Sequence, residues 1–135
     1  LWPPYKSSIT MRNLHLIISA ILLVPIAFAY GIAPNTILPA LFDFNVETVD
    51  LHNIFRGIMC LYLGMAVISV AGIFKQRYWE TATIVIIVCM GALAIGRLAS
   101  FVADGIPSIT LIIGFFAEVC LAALCYFNWK KYRVR

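Results

Sequence analysis

The chain has 135 residues, of which 63% are hydrophobic and only 12% are charged, and its net charge is +4. Soluble domains carry about 45–50% apolar and about 25% charged residues, so this composition excludes an ordinary soluble domain. It also excludes a disordered chain, which needs low hydrophobicity and high net charge. The sequence therefore predicts a multi-pass integral membrane protein.

Four apolar runs are each long enough to cross the hydrocarbon core of a bilayer as a helix, which takes about 20 residues. None of them alternates polar and apolar residues as a strand of a membrane barrel would. We therefore predict an all-α fold, a four-transmembrane-helix bundle that forms a single domain over residues 1–135. The predicted spans cover residues 14–32, 53–74, 79–103 and 106–129.

The connections between the spans differ in length. Residues 33–52 form the long one, with two prolines and alternating apolar residues, and we expect a short helix there that lies at the membrane interface. Residues 75–77 form a tight basic turn. Residues 104–107 form a second tight turn, in which Gly105 tolerates a positive φ and Pro107 suits the first turn of the next helix.

The distribution of charge predicts the orientation. With four spans, one side of the membrane carries both termini and eight basic residues, namely Lys6, Arg12, Lys75, Arg77, Lys130, Lys131, Arg133 and Arg135. The loops on the other side carry only acidic residues, namely Asp43, Glu47, Asp50 and Asp104. Because basic residues collect on the cytoplasmic side, we predict that the N and C termini face the cytoplasm or stroma. Topology thus explains the positive charge, and we predict no nucleic-acid partner.

Two histidines are candidate ligands of a pigment or haem. His15 lies near the cytoplasmic end of the first span and His52 at the opposite edge of the membrane, so they cannot share one metal ion. Either could singly bind a chlorophyll magnesium or a haem iron. The alternative for each is an interfacial or hydrogen-bonded histidine, which we favour. No Cys or His spacing typical of a metal site is present, so no metal centre is predicted.

Ionisable residues inside the spans are costly and indicate a functional site. Arg56 and Arg97 lie about 8 and 10 Å below the non-cytoplasmic face, and Glu118 lies about 16 Å deep. Helical spacing places further polar side chains beside the two arginines, so we expect three helix faces to converge on one polar pocket. The predicted cluster comprises Asn53, Arg56, Arg97, Ser100, Asp104 and Glu118.

Two interpretations of this cluster stay open. Arg97 and Glu118 could be a structural ion pair that fixes the bundle. Alternatively, two arginines against one buried glutamate leave an excess positive charge, which would favour a lipid phosphate, a carboxylate or a quinone-like oxygen. The second interpretation predicts a bound lipid or small amphipathic ligand.

Several short motifs recur together along the chain, namely Asn53-x-x-Arg56, Leu61-Tyr62-x-Gly64, Gly96-Arg97, Asp104-Gly105-x-Pro107 and Glu118 in the last span. In this combination the chain, over about residues 30–130, resembles the domain of unknown function 4345 family of small, mostly bacterial membrane proteins. The resemblance implies a four-span fold and a polar signature at these positions, but no activity. The segment 1–10 and the basic tail depart from the pattern and could dock a partner.

Three functions are compatible with these features. We favour a non-catalytic accessory or structural subunit of a larger respiratory or photosynthetic complex, in an inner, thylakoid or equivalent energy-transducing membrane, with lipids and other subunits as partners. The alternative is a small carrier or lipid-binding protein that uses the pocket of Arg56, Arg97 and Glu118. A membrane enzyme ranks last, because no nucleophile or metal site accompanies Glu118.

Overall fold

Each apolar run forms a helix, because a backbone in hydrocarbon must satisfy its polar groups within its own segment. The computed structural model describes residues 4–133, with side chains from Ile9 onward, and that range holds five helices and no strand. The helices are α1 (Pro4–Gly31), α2 (Pro34–Leu41), α3 (Val49–Phe74), α4 (Gln76–Ala103) and α5 (Ile109–Tyr132).

Four of these helices are long and apolar enough to cross a membrane, over Ile9–Gly31, Val49–Phe74, Gln76–Ala103 and Ile109–Tyr132. The predicted all-α bundle with four spans is therefore confirmed. The boundaries differ, since the first three spans begin three to five residues earlier than predicted and the fourth begins three residues later. Pro107 therefore precedes the last helix instead of lying in its first turn. Gly105 does adopt a positive φ of 98°, as the turn before this helix requires.

The four long helices pack as antiparallel neighbours in a ring. α1 packs mainly on α3, α3 on α4 and α4 on α5, while the seam between α5 and α1 that closes the ring is much thinner. The core between the helices is a cluster of nine buried residues: Leu23, Ala27, Tyr62, Met65, Ala66, Ile86, Met90, Leu121 and Cys125. This arrangement places the start of α1, the end of α5 and the α3–α4 turn at one end of the bundle, here called the terminal end.

The opposite end of the bundle, here called the α2 end, carries the predicted short helix. Pro34 and Leu38 of α2 are buried, whereas Asn35 and Thr36 are exposed, so α2 turns one side toward the bundle. The chain then enters α3 at Thr48, whose hydroxyl accepts a hydrogen bond from the backbone N–H of Leu51 at 3.2 Å. α2 thus closes part of the α2 end before the second span begins.

Candidate functional site: a lateral cavity with a polar side

An ion pair joins the last two spans. Arg97 of α4 donates to both carboxylate oxygens of Glu118 on α5, from Nε to Oε2 at 2.8 Å and from Nη2 to Oε1 at 2.9 Å. The arginine side chain is 19% exposed and the glutamate side chain 8%. The two residues meet because α4 and α5 are antiparallel across the short turn at residues 104–108. Fork-to-fork pairing of this kind is the strongest form of arginine–carboxylate contact.

The ion pair forms part of the wall of a cavity of about 170 Å³, here called the lateral cavity. Most of the lining is aliphatic or aromatic, and the rest of the polar lining comes from two tyrosines and Thr110. Leu22, Ile26 and Ala117 in the lining are also exposed on the outer surface, so the cavity reaches the outside between α1 and α5. The lining residues are Leu22, Leu23, Ile26, Ala29, Tyr30, Leu38, Leu41, Phe42, Tyr62, Met90, Arg97, Thr110, Leu111, Gly114, Ala117, Glu118 and Leu121.

Two tyrosines complete the polar side of the cavity. Tyr30 of α1 and Tyr62 of α3 both interact with the guanidinium of Arg97. Their rings are stacked, with centroids 5.7 Å apart and planes inclined by 10°. Tyr30 also stacks on Phe42 and Phe55, so the polar side of the cavity lies beside a column of aromatic rings. Neither tyrosine belongs to the predicted cluster, although Tyr62 lies within the family motif Leu61-Tyr62-x-Gly64.

The structure does not bring α3's predicted residues to this site. Asn53 and Arg56 are exposed on the outer face of α3, and neither lines the cavity. The face that α3 turns inward carries Tyr62, Met65, Ala66, Ser69 and Gly72 instead. The prediction that polar faces of three helices converge on one pocket is therefore wrong for α3. A lipid-facing polar residue and a bundle-facing one have the same helical spacing, and spacing alone cannot separate them.

Ser100 and Asp104 also lie apart from the ion pair. The hydroxyl of Ser100 donates to Oδ2 of Asp104 at 2.8 Å, and both residues are exposed at the α2 end of α4. Of the six predicted site residues, only Arg97 and Glu118 line the lateral cavity. The expected excess of positive charge is absent as a result, because the cavity holds one arginine and one glutamate.

A second buried polar network lies at the terminal end and centres on His15. Thr83 donates its hydroxyl proton to the carbonyl of Trp79 at 2.7 Å, so its oxygen accepts from Nε2 of His15, also at 2.7 Å. The Nδ1 atom of His15 accepts from the amide of Asn128 at 2.6 Å. This network joins α1, α4 and α5.

Both ring nitrogens of His15 are occupied and the residue has no exposed surface, so it offers no free nitrogen to a haem or pigment. The structure thus bears out the alternative of a hydrogen-bonded histidine at this position. His52 lies at the opposite end, where its Nδ1 donates to the carbonyl of Thr48 at 2.9 Å. Within the described residues, no three His, Cys, Asp or Glu side chains are grouped so as to hold a metal ion.

The polar partners of His15 were missed by sequence reasoning. Both Thr83 and Asn128 are uncharged, so neither stands out in an apolar span. Thr83 lies 14 residues before Arg97 in α4, and Asn128 lies ten residues after Glu118 in α5, so both are far from the predicted cluster. The available signal was Ser19, one helical turn after His15, whose hydroxyl donates to the His15 carbonyl at 2.7 Å. Two polar residues one turn apart indicate an inward-facing polar stripe on α1.

Comparison with known proteins gives one match. A family profile described as Domain of unknown function (DUF4345) matches residues 11–128, which is most of the chain and includes all four spans. The segment 1–10 lies before the matched range. No curated protein and no solved structure matches the chain.

Proposed function

The chain belongs to the domain of unknown function 4345 family, and we propose that it is a multi-pass membrane protein that binds an amphipathic molecule in the lateral cavity. The observation that supports this most is the composition of the lining, which combines an extended apolar wall with a single ion pair. Ligand sites of membrane and soluble proteins share this pattern, in which apolar walls hold the body of a ligand and a few polar groups orient it.

The route into the cavity also supports the proposal. Leu22 and Ile26 of α1 and Ala117 of α5 lie in membrane spans and are exposed, so the opening between them faces the lipid acyl chains. The seam between α1 and α5 is the thinnest of the ring. A ligand with an apolar tail could therefore enter from the bilayer without crossing water.

Filling the cavity tests the proposal. A Cβ atom at Gly114 would lie 3.8 Å from Nη2 of Arg97, an ordinary contact. Because Gly114 lines the cavity, we expect Gly114→Leu to fill part of it. Gly64 is the matched control, because it is also a mid-helix glycine and a Cβ atom there meets nothing within 4 Å. Native mass spectrometry of the protein, extracted from membranes in mild detergent, measures what remains bound.

We expect the native chain and Gly64→Leu to carry the same small-molecule mass, and Gly114→Leu to lose it. An equal adduct on all three proteins would place the bound molecule outside the cavity and contradict the proposal. A native chain that carries no adduct in any mild detergent would contradict it as well.

A second candidate, a non-catalytic subunit of a larger respiratory or photosynthetic complex, is favoured by Arg56. This residue lies seven positions after the start of α3, which is about 10 Å of helix, and its side chain is exposed on the outer face of that helix. It forms no ion pair within the described residues. Because an unpaired charge in the membrane is costly, we expect the guanidinium of Arg56 to pair with a carboxylate of a partner subunit or with a lipid phosphate.

Replacement of Arg56 tests this candidate, with Arg77 as the matched control, since Arg77 is exposed beside the α3–α4 turn. If α3 docks on a partner, Arg56→Leu should reduce co-purification of partner subunits while Arg77→Leu leaves it unchanged. Purification of the native chain without any partner would contradict the subunit proposal and leave the cavity proposal standing.

A further inference from the structure

The charge in the lateral cavity limits the ligands that it can accept. Among the described residues that line it, only Arg97 and Glu118 are charged, and they neutralise each other through two hydrogen bonds. An anionic head group would lie beside the carboxylate of Glu118, and a cationic one beside the guanidinium. Repulsion between like charges is strong where water is scarce. An uncharged head group is therefore favoured.

The free hydrogen-bonding groups of the cavity are mainly donors. A guanidinium has five N–H groups, and the pairing with Glu118 uses two of them. The tyrosine hydroxyls that interact with Arg97 add O–H donors, since a phenol oxygen that accepts from the guanidinium keeps its own proton. The carboxylate is the more covered partner, 8% exposed against 19% for the arginine. The head group should therefore present an acceptor, such as a carbonyl oxygen.

The size and shape of the cavity favour a planar ring. Its volume of about 170 Å³ is similar to the roughly 150 Å³ of a dry apolar cavity that binds benzene. Tyr30 and Tyr62 lie in nearly parallel planes at its edge, and Phe42 continues the stack at an inclination of 25°. A flat ring could extend this column, while a tail leaves between α1 and α5.

We propose that the lateral cavity binds an uncharged amphipathic molecule whose ring carries a carbonyl oxygen, as in the quinone class, with Arg97, Tyr30 and Tyr62 as the donors. This inference rests on the proposed function and narrows its ligand. Of the three ligand groups that the predicted pair of arginines favoured, it keeps the quinone-like oxygen and excludes the lipid phosphate and the carboxylate, because Arg56 lies outside the cavity.

Three probes with unbranched alkyl tails of nine or ten carbons test the inference, namely decylubiquinone, decylbenzene and decanoate. The dissociation constant of each is obtained from the rise in unfolding temperature of the purified protein in detergent, with native mass spectrometry to verify one bound molecule. One hydrogen bond is worth about tenfold in affinity, so we expect decylubiquinone to bind at least about tenfold more tightly than decylbenzene. Decanoate should bind most weakly.

Conservative variants identify the donors. Tyr30→Phe and Tyr62→Phe keep the stacked rings and remove only the hydroxyl groups, so they should lower the preference for decylubiquinone over decylbenzene and leave the affinity for decylbenzene unchanged. An unchanged preference in both variants would overturn the assignment of these donors.

The remaining outcomes separate the two proposals. If decanoate binds most tightly, or if decylbenzene equals decylubiquinone, the inference about the head group is wrong while the cavity remains a ligand site. If none of the three probes binds, the proposed function fails together with the inference.

Discussion

Arg97 and Glu118 depend on each other, because either residue alone would be an uncompensated charge within the membrane. Removing one partner of a buried ion pair commonly costs about 3 kcal/mol or more, while replacing both with apolar residues of similar size is often neutral. A structural role and a binding role can therefore be separated by comparing single and double variants.

We predict that Glu118→Leu and Arg97→Met each lower the free energy of unfolding by about 3 kcal/mol. The double variant should recover most of this loss, since no charge is left unpaired. Unfolding of the purified protein in mixed detergent micelles, titrated with dodecyl sulfate, measures all three. If the double variant lost as much stability as the sum of the single variants, the two residues would act independently, and the expected dependence of each charge on the other would be contradicted.

His15 provides a second prediction. His15→Phe keeps a ring against Trp79, whose centroid lies 5.5 Å from that of His15, and removes the hydrogen bonds to Thr83 and Asn128. Unsatisfied buried groups cost about 1–3 kcal/mol, so we expect a loss of stability of about 2 kcal/mol. His52→Phe is the control, because within the described residues its ring bonds to the carbonyl of Thr48, the residue just before α3, and its loss should change stability little.

Thermal unfolding followed by circular dichroism compares the two histidine variants. A decrease at His52 equal to that at His15 would argue against the buried network as the cause. Absorption spectra of the same preparations report on the predicted haem or pigment ligation, since a bound chromophore lost only in the His52 variant would identify that histidine as its ligand.

α3 and α4 lie in close contact at Gly72, because glycine has no side chain to separate them. A Cβ atom at Gly72 of α3 would lie 2.8 Å from Cβ of Ala82 and 3.4 Å from Cα of Trp79 on α4. Lys75 is the single residue between these helices, so α3 and α4 cannot separate near their turn. The position of Gly72 is thus fixed by the neighbouring helix, whereas Gly64 on the outer face of α3 has open space.

We predict that Gly72→Ala destabilises the bundle by about 1–3 kcal/mol, the usual cost of overpacking. Gly64→Ala should be neutral or stabilising by up to about 1 kcal/mol, because alanine favours the helix and meets no neighbour. The dodecyl sulfate titration measures both. Equal effects at the two glycines would mean that α3 and α4 can move apart at their turn.

The sequence predicted the elements better than the faces that they bury. The four spans and the short helix α2 follow from the length of each apolar run and from the prolines between them. Glu118 was paired correctly because a charge near the midplane needs a partner on a neighbouring helix. Arg56 was placed in the pocket wrongly, since lipid and protein interior are both apolar and hydrophobicity does not reveal which side of α3 faces lipid.

The cavity itself could not be predicted from the sequence. It lies at the seam between α1 and α5, the first and last helices of the ring, and its volume depends on how closely these two approach. No turn connects them, so the spacing is set by how both pack on their other neighbours. α2 contributes Leu38 and Leu41 to the lining of the cavity, and this depends on where the long connection packs on the bundle.

The fold groups the charges of the molecule by its two ends, and this leads to a prediction of orientation. The terminal end holds the basic residues Arg12, Lys75, Arg77, Lys130, Lys131 and Arg133, while Lys6 and Arg135 lie outside the described side chains. The α2 end holds Asp43, Glu47, Asp50 and Asp104. The excess of basic residues predicts that the terminal end faces the cytoplasm or its equivalent.

Fusion reporters in a bacterial host measure this orientation. Green fluorescent protein at the carboxyl terminus should fluoresce, because it folds in the cytoplasm, and alkaline phosphatase inserted after Asn45 should be active, because it needs the periplasm. The opposite pattern would invert the bundle and place the α2 end in the cytoplasm. Since the lateral cavity opens toward lipid and is lined in part by Leu38 and Leu41 of α2, it lies toward the α2 end, and the orientation decides which leaflet supplies its ligand. With the predicted orientation, the ligand enters the cavity from the non-cytoplasmic leaflet.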